Sequence, residues 1–81
     1  MNPSELRQWL TRHLASHLAL PAAGIDPDRP LHEYGLDSAY ALTLAADLFD
    51  TYGLIAEPTL TWDHPTIETL ARYLATQPRP L

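Results

Sequence analysis

The chain has 81 residues, a length that allows one small domain. Its formal net charge is −5 and it contains no lysine, which argues against nucleic-acid binding because phosphate contacts need clustered cationic side chains. It contains no cysteine, so disulfides and thiolate metal sites are excluded, and any thioester chemistry must use a thiol from another molecule. We expect a single domain over residues 1–81, ordered from about residue 3 to residue 75, with a frayed tail over residues 76–81.

The hydropathy and charge patterns bear on location and partners. No apolar run approaches the ~20 residues that a membrane span needs, and the first residues lack the basic region of a signal peptide, so we expect a cytoplasmic protein with no membrane span. Nine of the ten acidic residues fall between Asp26 and Glu68, where Arg29 is the one basic residue. An acidic middle favours partners with basic docking surfaces. Solubility alone is the alternative explanation.

The first predicted helix begins after Asn2, a good N-cap residue. Leucines then recur every fourth residue from Leu6 to Leu18, which gives one apolar stripe on about four turns of helix. His13 and His17 have the i,i+4 spacing of a metal-binding pair, but the chain offers no obvious third ligand and no zinc-protease glutamate between them. We therefore interpret both as solvent-facing neighbours on the helix flank and expect no metal site.

A long connection from Ala19 to Leu36 follows, and its three prolines and Gly24 forbid a continuous helix. A connection of this length is usually functional or held by its own anchoring contacts. Ile25 and Leu31 are the expected anchors, and residues 30–34 are expected to form a single helical turn.

The second predicted helix runs from Ser38 to Tyr52, with Asp37 as its cap and Gly53 at its end. At 100° per residue this helix has two distinct sides. The side expected to face the core carries Ala41, Leu44, Ala45, Leu48 and Tyr52. The other side continues from Ser38 and carries Ala39, Leu42, Thr43, Ala46, Phe49 and Asp50.

The last third of the chain predicts two more helical segments. Residues 58–62 can form only a brief helix, and Trp62 is expected to fill the gap between the second and last helices. Pro65 and Thr66 open the last helix. Its apolar positions recur at helical spacing and are Ile67, Leu70, Ala71 and Leu74.

Ser38 is the candidate functional residue, because the unpaired N–H groups and positive dipole end of a helix start suit a phosphate ester. On position alone, a plain capping pair with Asp37 is the alternative. A serine hydrolase would need glycine two residues before and after the serine, and neither is present. A triad with Asp63 and His64 is disfavoured because adjacent residues do not readily align in a relay, and a bundle of this size rarely supplies a substrate pocket. We expect no catalysis by the chain alone.

Two stretches carry a resemblance to a known family. Gly35-Leu36-Asp37-Ser38, followed by a leucine-bearing helix that closes with Tyr52-Gly53, resembles the phosphopantetheine attachment site of acyl carrier proteins. Trp62-Asp63-His64-Pro65-Thr66-Ile67 is similar to the start of the last helix in carriers of the polyketide-synthase type. The resemblance covers roughly residues 6–74.

The resemblance implies an all-α fold, a four-helix bundle of the acyl-carrier type with a long loop between helices 1 and 2 and a short third helix. It also implies that 4′-phosphopantetheine from coenzyme A is attached to Ser38, with Asp37 as the flanking cap and as a recognition element for the transferase. For Trp62, the resemblance adds contact with a bound acyl chain as the alternative to core filling.

The resemblance further implies that the exposed side of the second helix is presented to enzymes. Leu42 and Phe49 would form an apolar patch rimmed by Asp47 and Asp50, and the alternative is that Phe49 packs inward against the long loop. We call this surface the docking face. Its residues are Ala39, Leu42, Thr43, Ala46, Asp47, Phe49 and Asp50.

The implied function is that of a free-standing, monomeric acyl carrier that holds acyl intermediates as thioesters for polyketide or fatty-acyl biosynthetic enzymes. The implied partners are a phosphopantetheinyl transferase, an acyl-loading enzyme (an acyltransferase or an acyl-activating ligase), and a ketosynthase or another acyl-processing enzyme. Asp37 favours acyl cargo, because aminoacyl and peptidyl carriers more often have another residue there. Ala39 and Thr43 depart from the family pattern and suggest a dedicated partner set. The alternatives are a carrier-like interaction module that is never modified and an aminoacyl or peptidyl carrier.

Overall fold

A computed structural model describes residues 2–77, which contain four α-helices and two 3₁₀ turns and no strand. The helices are α1 (Pro3–Leu18), α2 (Ser38–Tyr52), α3 (Leu60–Asp63) and α4 (Ile67–Ala75). The 3₁₀ turns, Ala22–Gly24 and Leu31–Tyr34, both lie in the connection between α1 and α2. The predicted all-α fold with a long first loop and a short third helix is confirmed.

The core is formed by apolar side chains that α1, α2 and α4 direct toward one another. Leucine stripes at helical spacing make this possible, because residues three or four apart share one helix face. Each fully buried leucine or isoleucine contributes roughly 1.5–3 kcal/mol relative to exposure. The fully buried side chains are Leu6, Leu10, Leu14, Leu44, Leu48, Leu54, Ile67, Leu70 and Leu74.

The long first connection is held by its own contacts, as its length predicted. Ile25 and Leu31 are both buried, which confirms them as anchors. The N–H of Leu31 donates to the carbonyl of Pro65 at 2.7 Å, and the N–H of Glu68 donates to the carbonyl of Pro27 at 3.0 Å. These two backbone hydrogen bonds join the connection to the start of α4. The path that leads to Ser38 is therefore fixed at both of these points.

Two predictions about the last third need correction. The third helix spans Leu60–Asp63 and not residues 58–62, because Glu57 to Leu60 first form a turn closed by a 2.9 Å backbone hydrogen bond. Trp62 is 75% exposed, so the prediction that it fills the core is wrong. Leu60 occupies the buried side of this short helix, and a residue two positions later points roughly 200° away from it.

The expected tail lies largely outside the described residues. Residues 76 and 77 form a turn that continues from α4, where the Thr76 hydroxyl donates to the carbonyl of Tyr73 at 2.6 Å. The prediction of a frayed end over residues 78–81 falls on residues that the structure does not describe.

Candidate functional site

Ser38 is the first residue of α2, and Asp37 caps the helix in front of it. Oδ1 of Asp37 accepts a hydrogen bond from the N–H of Tyr40 at 3.2 Å, which confirms the predicted cap. Ser38 itself is exposed, and its hydroxyl has no hydrogen-bond partner within residues 2–77. The hydroxyl is therefore available to another molecule, at a helix start whose N–H groups and dipole favour an anion.

The turn before Ser38 depends on one glycine. The second 3₁₀ turn is followed by Gly35, which has a left-handed φ of 76°. Nothing lies within 4 Å of where a Cβ would stand, so the requirement is for backbone conformation and not for space. Gly35 thus allows the chain to reverse between the buried Leu31 and the exposed Ser38.

An apolar groove of about 290 Å³ lies beside the start of α2. It is bounded by the second 3₁₀ turn, the first turn of α2 and α3. Trp62, whose ring the sequence placed in the core, instead forms part of its wall. The groove residues are Leu31, His32, Leu36, Asp37, Tyr40, Thr61, Trp62 and Pro65.

The docking face is exposed as a surface. Leu42 and Phe49 are 58% and 56% exposed, so the alternative in which Phe49 packs inward is wrong. Asp50 is exposed and Asp47 is half-buried. Leu42, Phe49 and Asp50 thus stand in solvent on one helix, as a surface that contacts another protein requires.

His13 differs most from its predicted position. Its side chain is only 15% exposed, so the prediction of a solvent-facing histidine is wrong. Nδ1 lies 2.9 Å from the Tyr40 hydroxyl, and Nε2 lies 2.6 Å from Oδ2 of Asp47. His13 therefore links α1 to the docking face through one carboxylate and to the groove through one phenol.

Aromatic rings surround this link. The His17 ring packs against Tyr40 with centroids 4.6 Å apart, and the Trp9 ring lies 5.0 Å from that of His13. Burial raises the pKa of the Tyr40 phenol well above its usual value, and the negative charge of Asp47 raises it further. We call this contact the α1–α2 seam. It consists of Trp9, His13 and His17 on α1 and Tyr40, Asp47 and Tyr52 on α2.

Sequence reasoning missed Tyr40, which is 3% exposed and belongs to the core. A signal for it exists: Tyr40 precedes the buried Leu44 by one helical turn and precedes Asp47 by two. This places Tyr40 and Asp47 on one flank of α2. Which flank of α1 meets them depends on how the helices pack, and the spacing within one helix does not encode that.

The triad considered from the sequence does not assemble. The His64 ring stacks on Tyr73 with centroids 4.1 Å apart, and Asp63 and His64 line a different cavity from the groove beside Ser38. Among residues 2–77, no group of three or more histidine, cysteine, aspartate or glutamate side chains is placed to hold a metal ion.

Comparison with known protein families identifies the family to which this site belongs. Residues 8–74 match the protein family described as "Phosphopantetheine attachment site". The chain belongs to this family. Members of the phosphopantetheine-attachment family carry covalently bound 4′-phosphopantetheine and are not catalysts; they hold substrates for partner enzymes. Ser38, which is exposed at a helix start and has no side-chain hydrogen-bond partner among residues 2–77, fits such a phosphate ester.

Several carriers and synthases are similar to this chain. One subunit of the phenolphthiocerol/phthiocerol polyketide synthase from Mycobacterium tuberculosis is 38% identical over 77 residues, which cover 95% of this chain and 4% of the synthase. A free-standing peptidyl carrier protein from Acinetobacter baumannii is 39% identical, with a TM-score of 0.88 over 93% of this chain and 94% of that one. Acyl carrier protein LipD from Actinoplanes friuliensis is 51% identical, with a TM-score of 0.73 over 90% and 81%.

These comparisons establish a carrier of the polyketide-synthase type. The chain spans about 4% of the length of the curated synthase that it matches, so the match describes the carrier portion of that enzyme. Carriers for acyl groups and for peptidyl groups both occur among the similar structures. Within residues 2–77, no helix combines the length and apolar character that crossing a membrane requires.

Proposed function

We propose that Ser38 is the residue that bears 4′-phosphopantetheine and that this chain carries acyl groups for polyketide or fatty-acyl biosynthetic enzymes. The single observation that carries the assignment of the site is the Ser38 hydroxyl, which is exposed and has no partner among residues 2–77 at the first turn of α2. The other two serines, Ser4 and Ser16, both lie on α1, where no helix begins behind an aspartate cap.

Loading requires a separate phosphopantetheinyl transferase. The Ser38 oxygen forms a bond to phosphorus as the pyrophosphate bond of coenzyme A breaks, adenosine 3′,5′-bisphosphate leaves, and the serine proton passes to a base of the transferase. Asp37 holds the first turn of α2 in place through Tyr40, so Ser38 is presented on a fixed backbone. Once bound, the group supplies the thiol that holds an acyl chain as a thioester, and tethering raises the effective concentration of that chain at each enzyme.

The docking face supplies the proposed contact with partner enzymes. Leu42 and Phe49, two helical turns apart on α2, provide exposed apolar area, and Asp47 and Asp50 provide negative charge. An acidic rim attracts a basic partner surface and accelerates association, and an exposed apolar pair contributes contact area. The proposed partners are the transferase, an acyl-loading enzyme (acyltransferase or acyl-activating ligase) and a ketosynthase or another acyl-processing enzyme.

Acyl cargo is the proposal for the carried group. Asp37 supports it by the family pattern noted above, and the 51% identity to an acyl carrier protein supports it independently. A peptidyl or aminoacyl carrier is the second candidate, favoured by the 39% identical peptidyl carrier. Incubation of the loaded chain with acyl-activating and aminoacyl-activating ligases separates the two by which adduct forms.

The test of the site is intact mass spectrometry after incubation with coenzyme A and a broad-specificity phosphopantetheinyl transferase. We expect the wild-type chain to gain one phosphopantetheinyl group and Ser38→Ala to gain none. Ser16→Ala is the matched control, because it removes another exposed serine and should load as the wild type does. An unchanged wild-type mass would contradict the proposal and favour an interaction module that is never modified.

Three further expectations stay predictions. A monomeric state is checked by light scattering of the purified chain, a cytoplasmic location by cell fractionation, and free-standing action by loading assays on the separate chain.

A further inference from the structure

The strongest feature outside the attachment site is the hydrogen-bonded core of the α1–α2 seam. Both ring nitrogens of His13 are engaged, Nδ1 with the Tyr40 hydroxyl at 2.9 Å and Nε2 with Oδ2 of Asp47 at 2.6 Å. The His13 side chain is 15% exposed, whereas that of Asp47 is 44% exposed. One member of the pair therefore lies inside the bundle, and the other belongs to the docking face.

The chemistry of the three groups fixes where the protons lie. A carboxylate can only accept hydrogen bonds, so Nε2 of His13 carries the hydrogen that is donated to Asp47. In a neutral imidazole Nδ1 must then accept, and the Tyr40 hydroxyl is its donor. Because burial and Asp47 raise the pKa of the Tyr40 phenol, Tyr40 keeps its proton throughout the neutral range.

These contacts engage both nitrogens of the His13 ring and one oxygen of the Asp47 carboxylate. The Trp9 ring also packs on His13, with centroids 5.0 Å apart, and the His17 ring packs on Tyr40. A satisfied polar network of this kind fixes the orientation of its members.

We propose that His13 is a positioning residue that fixes the orientation of Asp47 on the docking face, so that a chain whose residue 13 cannot donate to Asp47 binds a transferase with a basic docking surface more weakly. The proposal rests on the proposed function only for the identity of the surface. Its geometric basis, one imidazole between a phenol and a carboxylate, is independent of loading.

Nuclear magnetic resonance of the unloaded chain tests the pair directly. We expect the neutral His13 imidazole to be the Nε2–H tautomer in nitrogen spectra, because Nε2 donates to Asp47. An Nδ1–H tautomer would overturn the proposal.

Loading by a broad-specificity transferase tests the consequence for docking. His13→Leu removes the donor to Asp47, whereas the amide of His13→Gln can still donate to it. We expect kcat/KM for loading to fall about threefold in His13→Leu, the size typical of one partly exposed charge, and to be restored in His13→Gln. His17→Leu is the matched control and should load as the wild type does, because His17 packs on Tyr40 but does not bond to Asp47.

The outcomes are distinguishable. Equal loading of His13→Leu and of a wild type that is loaded normally overturns the inference and leaves the proposed function intact, and so does an equal loss in His13→Leu and His13→Gln. A wild-type chain that accepts no group overturns the proposed function and the docking half of the inference, and the magnetic resonance result then decides the His13–Asp47 pair alone.

Discussion

The two contacts that α1 makes with other helices differ in kind. Against α4, where its packing is most extensive, α1 contributes leucines, and a single bidentate ion pair from Arg7 to Glu68 lies at the edge. Against α2, α1 shares the leucine core and adds the seam of rings and hydrogen-bonding groups centred on His13. Apolar packing stabilises the folded chain but does not fix the orientation of individual groups, because the hydrophobic effect is non-directional. A satisfied hydrogen-bond network does fix the orientation of its members. The first contact holds the helices together, and the second fixes, through His13, the position of Asp47 on the proposed docking face.

The largest expected effect is on the apolar contact. Leu10→Ala should lower the free energy of unfolding by about 2–5 kcal/mol, because it leaves a cavity at a fully enclosed side chain. Urea denaturation followed by circular dichroism measures the change. Leu42→Ala removes the same atoms from an exposed position and should change stability by about 0.5 kcal/mol or less. Equal losses in the two variants would contradict the division between core and docking face.

Alkaline pH should weaken the seam specifically. The pKa of Tyr40 is raised in the folded chain, so its stabilising contribution is complete below its ordinary value of about 10 and is lost as pH rises beyond that value. The limiting slope for one such group is about 1.4 kcal/mol per pH unit. Denaturation curves at several alkaline pH values should show a flatter decline for Tyr40→Phe than for the wild type. Parallel declines would show that the phenol is not protected by the fold.

At neutral pH, Tyr40→Phe should have a smaller effect. It removes one hydrogen bond to His13 and keeps the ring, at a cost of about 1 kcal/mol. Tyr73→Phe is the control, because it makes the same chemical change on a partly exposed ring that stacks on His64. Thermal denaturation of both variants compares them. A greater loss in the control would contradict the described hydrogen bond.

The smallest expected loss of stability comes from breaking the ion pairs at the edge of the α1–α4 contact. Glu68→Gln should cost about 0.5 kcal/mol at low salt and less at high salt, because partly exposed ion pairs are screened. Glu33→Gln, which removes a more exposed pair with Arg29, should cost less still. Stability measured at two salt concentrations tests both. A salt-independent loss at Glu68 would indicate a packing role in place of an electrostatic one.

The contrast between these two contacts also explains what the sequence could predict. The leucine stripes, the Asp37 cap and the end of α2 at Gly53 are local patterns, and all three occur in the structure as expected. The angular division of α2 placed Leu42 and Phe49 on the side away from the core, and the resemblance, with Phe49 packed inward as the alternative, implied the exposure that the structure has. These features need no knowledge of which helices touch.

The predictions that were wrong concern side chains whose positions depend on contacts between different segments of the chain. His13 is enclosed because α2 presents Asp47 and Tyr40 to it, and nothing in the spacing within α1 reveals that. Trp62 stands in solvent because α3 turns Leu60 inward, and the first residue of a helix this short depends on the turn before it. The assignment of Ser38 as the attachment residue depends on its pattern and its exposure, and mass spectrometry tests it.

The two hydrogen bonds between the first connection and the start of α4 have a consequence for biosynthesis. Both join main-chain atoms, so exchanging side chains leaves them in place, and only proline at position 31 or 68 would delete a donor. Their partners are separated by more than thirty positions in the chain. A polypeptide still emerging from the ribosome lacks one half of each bond until Pro65 and Glu68 have been made, so Ser38 acquires its finished setting only after about thirty further residues have been synthesised.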